Sequence, residues 1–85
     1  MQLNEAKPCL TVYHRVGCHL CEEMVALLIE YQDELVFNFV LVDIDADADL
    51  KMRFNADVPV VIYEERILFR YFFDEAILRQ ALQHG

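Results

Sequence analysis

The chain has 85 residues, 56% of them apolar and 26% charged, a composition that fits one globular domain over residues 1–85 and excludes a fibrous or disordered chain. Seven basic against fifteen acidic side chains leave a formal charge of -8, which opposes binding to phosphate backbones and anionic lipid. No apolar run approaches the roughly 18 residues of a membrane span, and the opening MQLNEAKPCL has no apolar block behind a basic start, so nucleic acid and membrane are not expected partners and the expected location is the cytoplasm.

The run Cys9-Leu-Thr-Val-Tyr13 is β-prone and ends at His14-Arg-Val-Gly17, which reads as a first strand and a short loop. From Leu20 the apolar residues Leu20, Met24, Leu27, Leu28 and Tyr31 recur at helical spacing, predicting a helix from about Cys18 to Gln32. Leu35 to Asp43 is nearly continuous in apolar residues, the pattern of a strand buried on both faces. Asp45 and Asp47 are placed to cap a short second helix through Leu50 and Phe54. Val58 to Tyr63 reads as another buried strand with Pro59 at its start, and the tight Glu64-to-Arg66 link predicts an antiparallel partner from Ile67 to Tyr71. Asp74 then opens a last helix through Leu82, with Ile77, Leu78, Ala81 and Leu82 on its inner side. The order βαβαββα predicts an α/β fold, a four-stranded mixed sheet with a right-handed parallel crossover and helices on both faces.

Three cysteines are too few and too odd for a secreted disulfide framework, and in a reducing compartment a close pair is more often catalytic or metal-binding. Cys18 falls at the predicted helix start, where free backbone amides and the positive dipole end favour a thiolate. Arg15 on the preceding loop can supply a further cation and His19 one when protonated, while Glu22 and Glu23 oppose ionisation. Cys21, one turn on and at the edge of the apolar stripe, should be more covered. An exposed thiolate that attacks a disulfide and a shielded thiol that resolves the mixed disulfide make a redox pair. A metal site drawn from Cys18, Cys21 and His14 or His19, an iron-sulfur cluster shared between two copies, and two incidental thiols are the other readings of the same residues. Cys9 reads as a small buried apolar residue. The aspartates from Asp43 to Asp49 lack the glycine and glutamate of a calcium loop. Tyr71, Phe72 and Phe73 read as packing residues, or as a substrate groove where one is exposed near Cys18.

The strand-loop-helix carrying Cys18-His-Leu-Cys21, the basic Arg15 where glutaredoxins often have lysine, and Val58-Pro59 opening the third strand resemble the thioredoxin superfamily, and within it the small glutaredoxin-like proteins, over essentially the whole chain. The resemblance implies a thioredoxin-like fold and a thiol-disulfide oxidoreductase with Cys18 as nucleophile and Cys21 as resolving thiol. It implies a cis Pro59 beside the sulfurs and a Val58 backbone that pairs with an extended substrate, so that Arg15, His19, Val58 and Pro59 form the substrate-binding set. It implies no dissociable cofactor, a protein or small-molecule disulfide as substrate, and glutathione or a reductase as electron donor. Where glutaredoxins have Pro-Tyr between the cysteines this chain has His19-Leu20, and where they have two glycines before the last helix it has Tyr71 and Phe72. Asp74 stands where the family has a carboxylate that meets the glutathione amine, and Val12 where thioredoxins bury an aspartate. The alternative in a different class is a thioredoxin-fold module that binds one protein partner without turnover.

Overall fold

A computed structural model describes residues 7–83. The first part of the opening decapeptide, residues 1–6, lies outside the described residues. Four strands and three helices follow one another as β1 (Cys9–His14), α1 (His19–Tyr31), β2 (Asn38–Asp43), a 3-10 turn (Ile44–Ala46), α2 (Ala48–Phe54), β3 (Val60–Tyr63), β4 (Arg66–Arg70) and α3 (Glu75–Gln83). This is the order expected from the sequence. The sheet order is β2-β1-β3-β4, with β1 parallel to β2 and antiparallel to β3, and β3 antiparallel to β4.

Strand alternation divides the apolar residues between two layers. Leu10 and Val12 of β1 and Val61 and Tyr63 of β3 face α1 and α3, packing with Met24, Leu28 and Leu78. Tyr13, Val60 and Ile62 face the other way, onto Ile44 and Phe54 of the shorter layer. The rings of Tyr13 and Phe54 lie 4.9 Å apart and anchor α2 on the sheet.

Burial on both faces fails for the strand predicted over 35–43. The observed β2 is shorter and lies at an edge of the sheet, so only β1 flanks it. Val40 and Leu41, consecutive and therefore on opposite faces, are 49% and 47% exposed. A seven-residue α2 is about 10 Å long, too short to reach across that side. Cys9 falls on the same uncovered part and is exposed, which corrects its reading as a buried residue. Its neighbours there are Thr11, Ile62, Glu65 and Ile67, around a hollow open to solvent that Arg53 and Phe54 of α2 also line. Ile77 was placed on the inner side of the last helix and is exposed; Leu78 is the residue α3 buries.

Local chemistry accounts for the connections. Asp47 caps α2, its carboxylate accepting from the amides of Asp49 and Leu50 at 2.9 and 3.1 Å. Asp43, not Asp45, caps the 3-10 turn, accepting from the Asp45 amide at 2.9 Å. Glu64 and Glu65 form a two-residue hairpin turn with φ of 52° and 69°. Both residues therefore occupy the left-handed region that such a turn requires. Asp74 caps α3 by accepting from the Ile77 amide at 3.0 Å. The Val58–Pro59 peptide bond is cis.

Candidate active site

The site forms where β1 runs into α1. Gly17 takes φ of 83°, a conformation that L side chains rarely adopt, and lets the chain turn sharply into the helix. A Cβ placed there would meet nothing within 4 Å, so the demand for glycine is conformational and not steric. Cys18 follows as the N-cap of α1, one residue before the helix itself begins. Its carbonyl accepts from the Glu22 amide at 3.1 Å, and its Sγ accepts from the Cys21 amide, also at 3.1 Å. The sulfur takes the place that an oxygen has in ordinary caps, at the end of the helix where partial positive charge gathers.

Cys18 and Cys21 are joined as a disulfide, their Cα atoms 5.2 Å apart. The pair is asymmetric: Cys18 is half-buried at the surface, whereas Cys21 is only 2% exposed. In the dithiol form a disulfide approaching from solvent meets the Cys18 sulfur first. Cys21 stays within bonding reach of it, because both lie in the first turn of one helix.

Arg15 is placed differently from the free cation expected beside Cys18. Its guanidinium makes three contacts of 3.0 to 3.2 Å with the Asp45 carboxylate. It also donates to the backbone oxygen and side-chain oxygen of Asn55 at 3.0 and 2.8 Å, tying the cysteine loop to the end of α2. The fork geometry suits a carboxylate and leaves little net positive field for a neighbouring thiol. His19, at the first helical position, points to solvent: its side chain is 81% exposed and lies 2.9 Å from Glu23.

Val58 and Pro59 sit on the other flank of β1. The β1–β3 ladder ends at the Tyr13–Val60 pair, so both residues lie just beyond it, beside the exit of β1 into the cysteine loop. Pro59 is fully buried, and its carbonyl accepts from the Tyr71 amide at 2.8 Å. Tyr71 takes φ of 64° with its hydroxyl donating to Asp57 at 2.7 Å and to the Ala56 carbonyl at 3.2 Å. The hydrogen bond to Asp57, followed by partial burial, pushes the phenol pKa up. Phe72 is 69% exposed and forms, with Leu20, Glu23, Met24, Leu27, Tyr71 and Phe73, a cleft of about 260 Å³ beside the start of α1.

Among the described residues no three His, Cys, Asp or Glu side chains converge as metal ligands. None of the described helices is long and apolar enough to cross a membrane. His14 carried no redox role in the sequence reading, yet it shares a cleft of about 360 Å³ with Cys21. The signal for it was present: alternation along β1 puts residues 10, 12 and 14 on one face.

A search of curated proteins finds no match, whereas the family model for the glutaredoxin-like domain (DUF836) matches residues 9–83. Among solved structures, the chain is similar to protein Ne2328 from Nitrosomonas europaea, at 36% identity and a TM-score of 0.83 over 96% of this chain and 99% of that one. Target protein XcR50 from X. campestris is 35% identical with a TM-score of 0.68, over 89% of this chain and 97% of that one. Thioredoxin 1 from Thermosipho africanus, at 14% identity, shares the fold with a TM-score of 0.58 over 89% and 96% of the two chains. The mixed sheet of order β2-β1-β3-β4 with its cysteine pair at a helix start is therefore a thioredoxin-like α/β fold, and the chain belongs to the glutaredoxin-like domain family.

Proposed function

We propose that the protein is a thiol-disulfide oxidoreductase with Cys18 as nucleophile and Cys21 as resolving thiol. The observation that carries this reading is the asymmetry of the pair: Cys18 caps the helix at the surface, and Cys21 is nearly fully buried within bonding reach. In the first step the Cys18 thiolate attacks one sulfur of a substrate disulfide, forming a mixed disulfide and releasing the other sulfur as a thiolate. In the second, Cys21 loses its proton and attacks Cys18; the Cys18–Cys21 disulfide forms, and the remaining substrate sulfur leaves as a thiolate that takes up a proton. The substrate is reduced by two electrons and the protein is oxidised by two.

Val58 and Pro59 orient the substrate: Val58 lies beyond the last β1–β3 pair, where an extended segment can add to the sheet edge. Arg15 braces the loop, and His19 with Glu23 forms its outer rim. The reaction needs no dissociable cofactor. Its substrate is a protein or small-molecule disulfide, its setting the reducing cytoplasm, and its electrons come from glutathione or a reductase. Tyr71 and Phe72, one anchored and one exposed, narrow the side from which glutathione would reach the backbone and favour a reductase. Exposure of Phe72 also favours a second reading, a module that docks one protein partner without turnover.

Reduction of a disulfide substrate under excess reductant tests the assignment. Cys18→Ser should abolish turnover, and Cys21→Ser mixed with the substrate without added reductant should leave a stable mixed disulfide at Cys18. Unchanged rates in both variants would leave the docking module.

A further inference from the structure

We propose that His14 is the group that takes the proton from Cys21 in the second step. The inference rests on the thiol-exchange reading above and assigns the proton that the reading requires Cys21 to lose. Val12 occupies the position of the buried thioredoxin aspartate and is fully buried, and among the described residues no charged or polar side chain is buried. The proton must therefore leave through a partly open route.

One route is built into the fold. Cys21 and Val25, four apart on α1, line a cleft together with His14 at the end of β1. His14 continues the face on which Leu10 and Val12 enter the core, and Leu41 stands on β2 opposite Val12. Together with Arg15, Val16, Gly17 and Glu22 these residues line the 360 Å³ cleft, which has room for several water molecules. It lies on the β2 flank, away from Val58 and Pro59, so a substrate bound there does not close it.

The charged groups lining this cleft beside His14 are Glu22 and Arg15, with Asp43 and His19 nearby. Glu22 on α1 is a carboxylate, a far weaker base than the thiolate Cys21 must become, and so a poor acceptor for its proton. Arg15 on the loop cannot accept a proton and is held by Asp45 and Asn55. Asp43 on β2 is opposite His14 in register but does not line the cleft, and its carboxylate accepts from the Asp45 amide. His19 lies on the outer face of the helix. Imidazole exchanges protons near neutral pH, and His14 is the imidazole in the cleft.

Mixing the reduced protein with an aromatic disulfide that releases a coloured thiolate separates the steps. The background is Cys9→Ser, because Cys9 is exposed. A first, concentration-dependent release reports attack by Cys18, and a second, first-order release reports attack by Cys21. His14→Gln should leave the first phase unchanged and slow the second by about tenfold or more near neutral pH, below or at the low end of the usual 100- to 10,000-fold range because cleft water also moves protons. The deficit should vanish well above the ordinary thiol pKa of about 8.5. In His14→Ala, free imidazole should restore the second phase alone.

An identical second phase and pH profile in His14→Gln and its parent overturns the role of His14. Absence of a Cys18-dependent first phase in the parent overturns instead the exchange reading. Should His14→Gln not fold, the NMR titration of His14 in the parent decides: it should differ between dithiol and disulfide forms, and identical curves overturn the proposal.

Discussion

Reduction of the Cys18–Cys21 disulfide should destabilise the protein by an amount that depends on pH in one direction. The bond spans a sequence separation of 3, closing a four-residue loop. Chain-entropy arguments give about 6 cal/mol/K for a loop of that size, or about 1.9 kcal/mol at 25 °C, lost when the bond is opened. Against this, the reduced form gains the interaction of the Cys18 thiolate with the α1 N-terminus, about 0.3–1 kcal/mol. A thiol whose native pKa is lowered contributes stability that is fully present above its unfolded value near 8.5 and lost as pH falls through the native value. The oxidised form should thus be more stable by about 1.9 kcal/mol near pH 5 and by about 0.9–1.6 kcal/mol above about pH 9. Urea unfolding of both forms at the two pH values, in the Cys9→Ser background and with a phosphine reductant, measures the difference. A gap that widens with pH would refute the placement of Cys18 as an anion held at the helix mouth.

Leu78→Ala should cost about 3 kcal/mol, since Leu78 is fully buried and is the residue by which α3 enters the core. At about 4–8 °C per kcal/mol for a domain of this size, thermal melting should fall by about 12–24 °C, and a loss below about 1 kcal/mol would mean that α3 docks otherwise. Asp45→Asn and Arg15→Gln should shift Cys18 in opposite senses. The first frees the guanidinium and should raise the rate of alkylation by a neutral reagent near pH 6 by about two- to fivefold; the second exposes the carboxylate and should lower it by a similar factor. The Glu75 carboxyl is held below its ordinary 4.5 first by the hydrogen bond from Arg79 and then by that from Tyr31. Its contribution is present above that ordinary value and disappears as pH falls through the lower native one, so Glu75→Gln should melt below the parent near pH 7 and converge with it near pH 3. Parallel melting curves at the two pH values would count against the link between α1 and α3.

Order and type of the elements were legible because periodicity changes cleanly along the chain, from the helical stripe of Met24 and Leu28 to the apolar run ending at Asp43. What that run could not reveal was its place in the sheet. Leu35, Val36 and Phe37 look like strand residues, but Val36 is 65% exposed and Phe37 fills the core before the strand begins. Burial of a strand on both faces depends on how far each helix layer extends. The length of α2 sets that limit on the face of Val40, and the open cleft beside α1 sets it on the face of Leu41; both are properties of the packed molecule, not of the strand's own residues. Cys9 is exposed at the very start of β1, at the opposite end of the strand from the Tyr13–Phe54 contact that anchors α2.

The site divides similarly between what lies along the chain and what packing brings to it. Cys18, Gly17 and the cap geometry are local, and so is the alternation that puts His14 on the face of β1 shared with Leu10 and Val12. Partners distant in sequence were not legible: Arg15 meets Asp45 and Asn55 only because α2 folds back onto the end of β1. Tyr71 shows how such a contact changes the chemistry on offer. Its left-handed backbone is of the kind glycine enters most easily, and glycine is what the resemblance led one to expect there. A tyrosine in that conformation carries a local cost, and here the hydroxyl bonded to Asp57 and Ala56 and the amide bonded to the Pro59 carbonyl hold it in place. The backbone shape beside Pro59 is thus kept, while the space a glycine would leave open for a small ligand is occupied by an anchored ring. On that side the open surface is the cleft that Leu20, Leu27 and Phe72 line beside the start of α1.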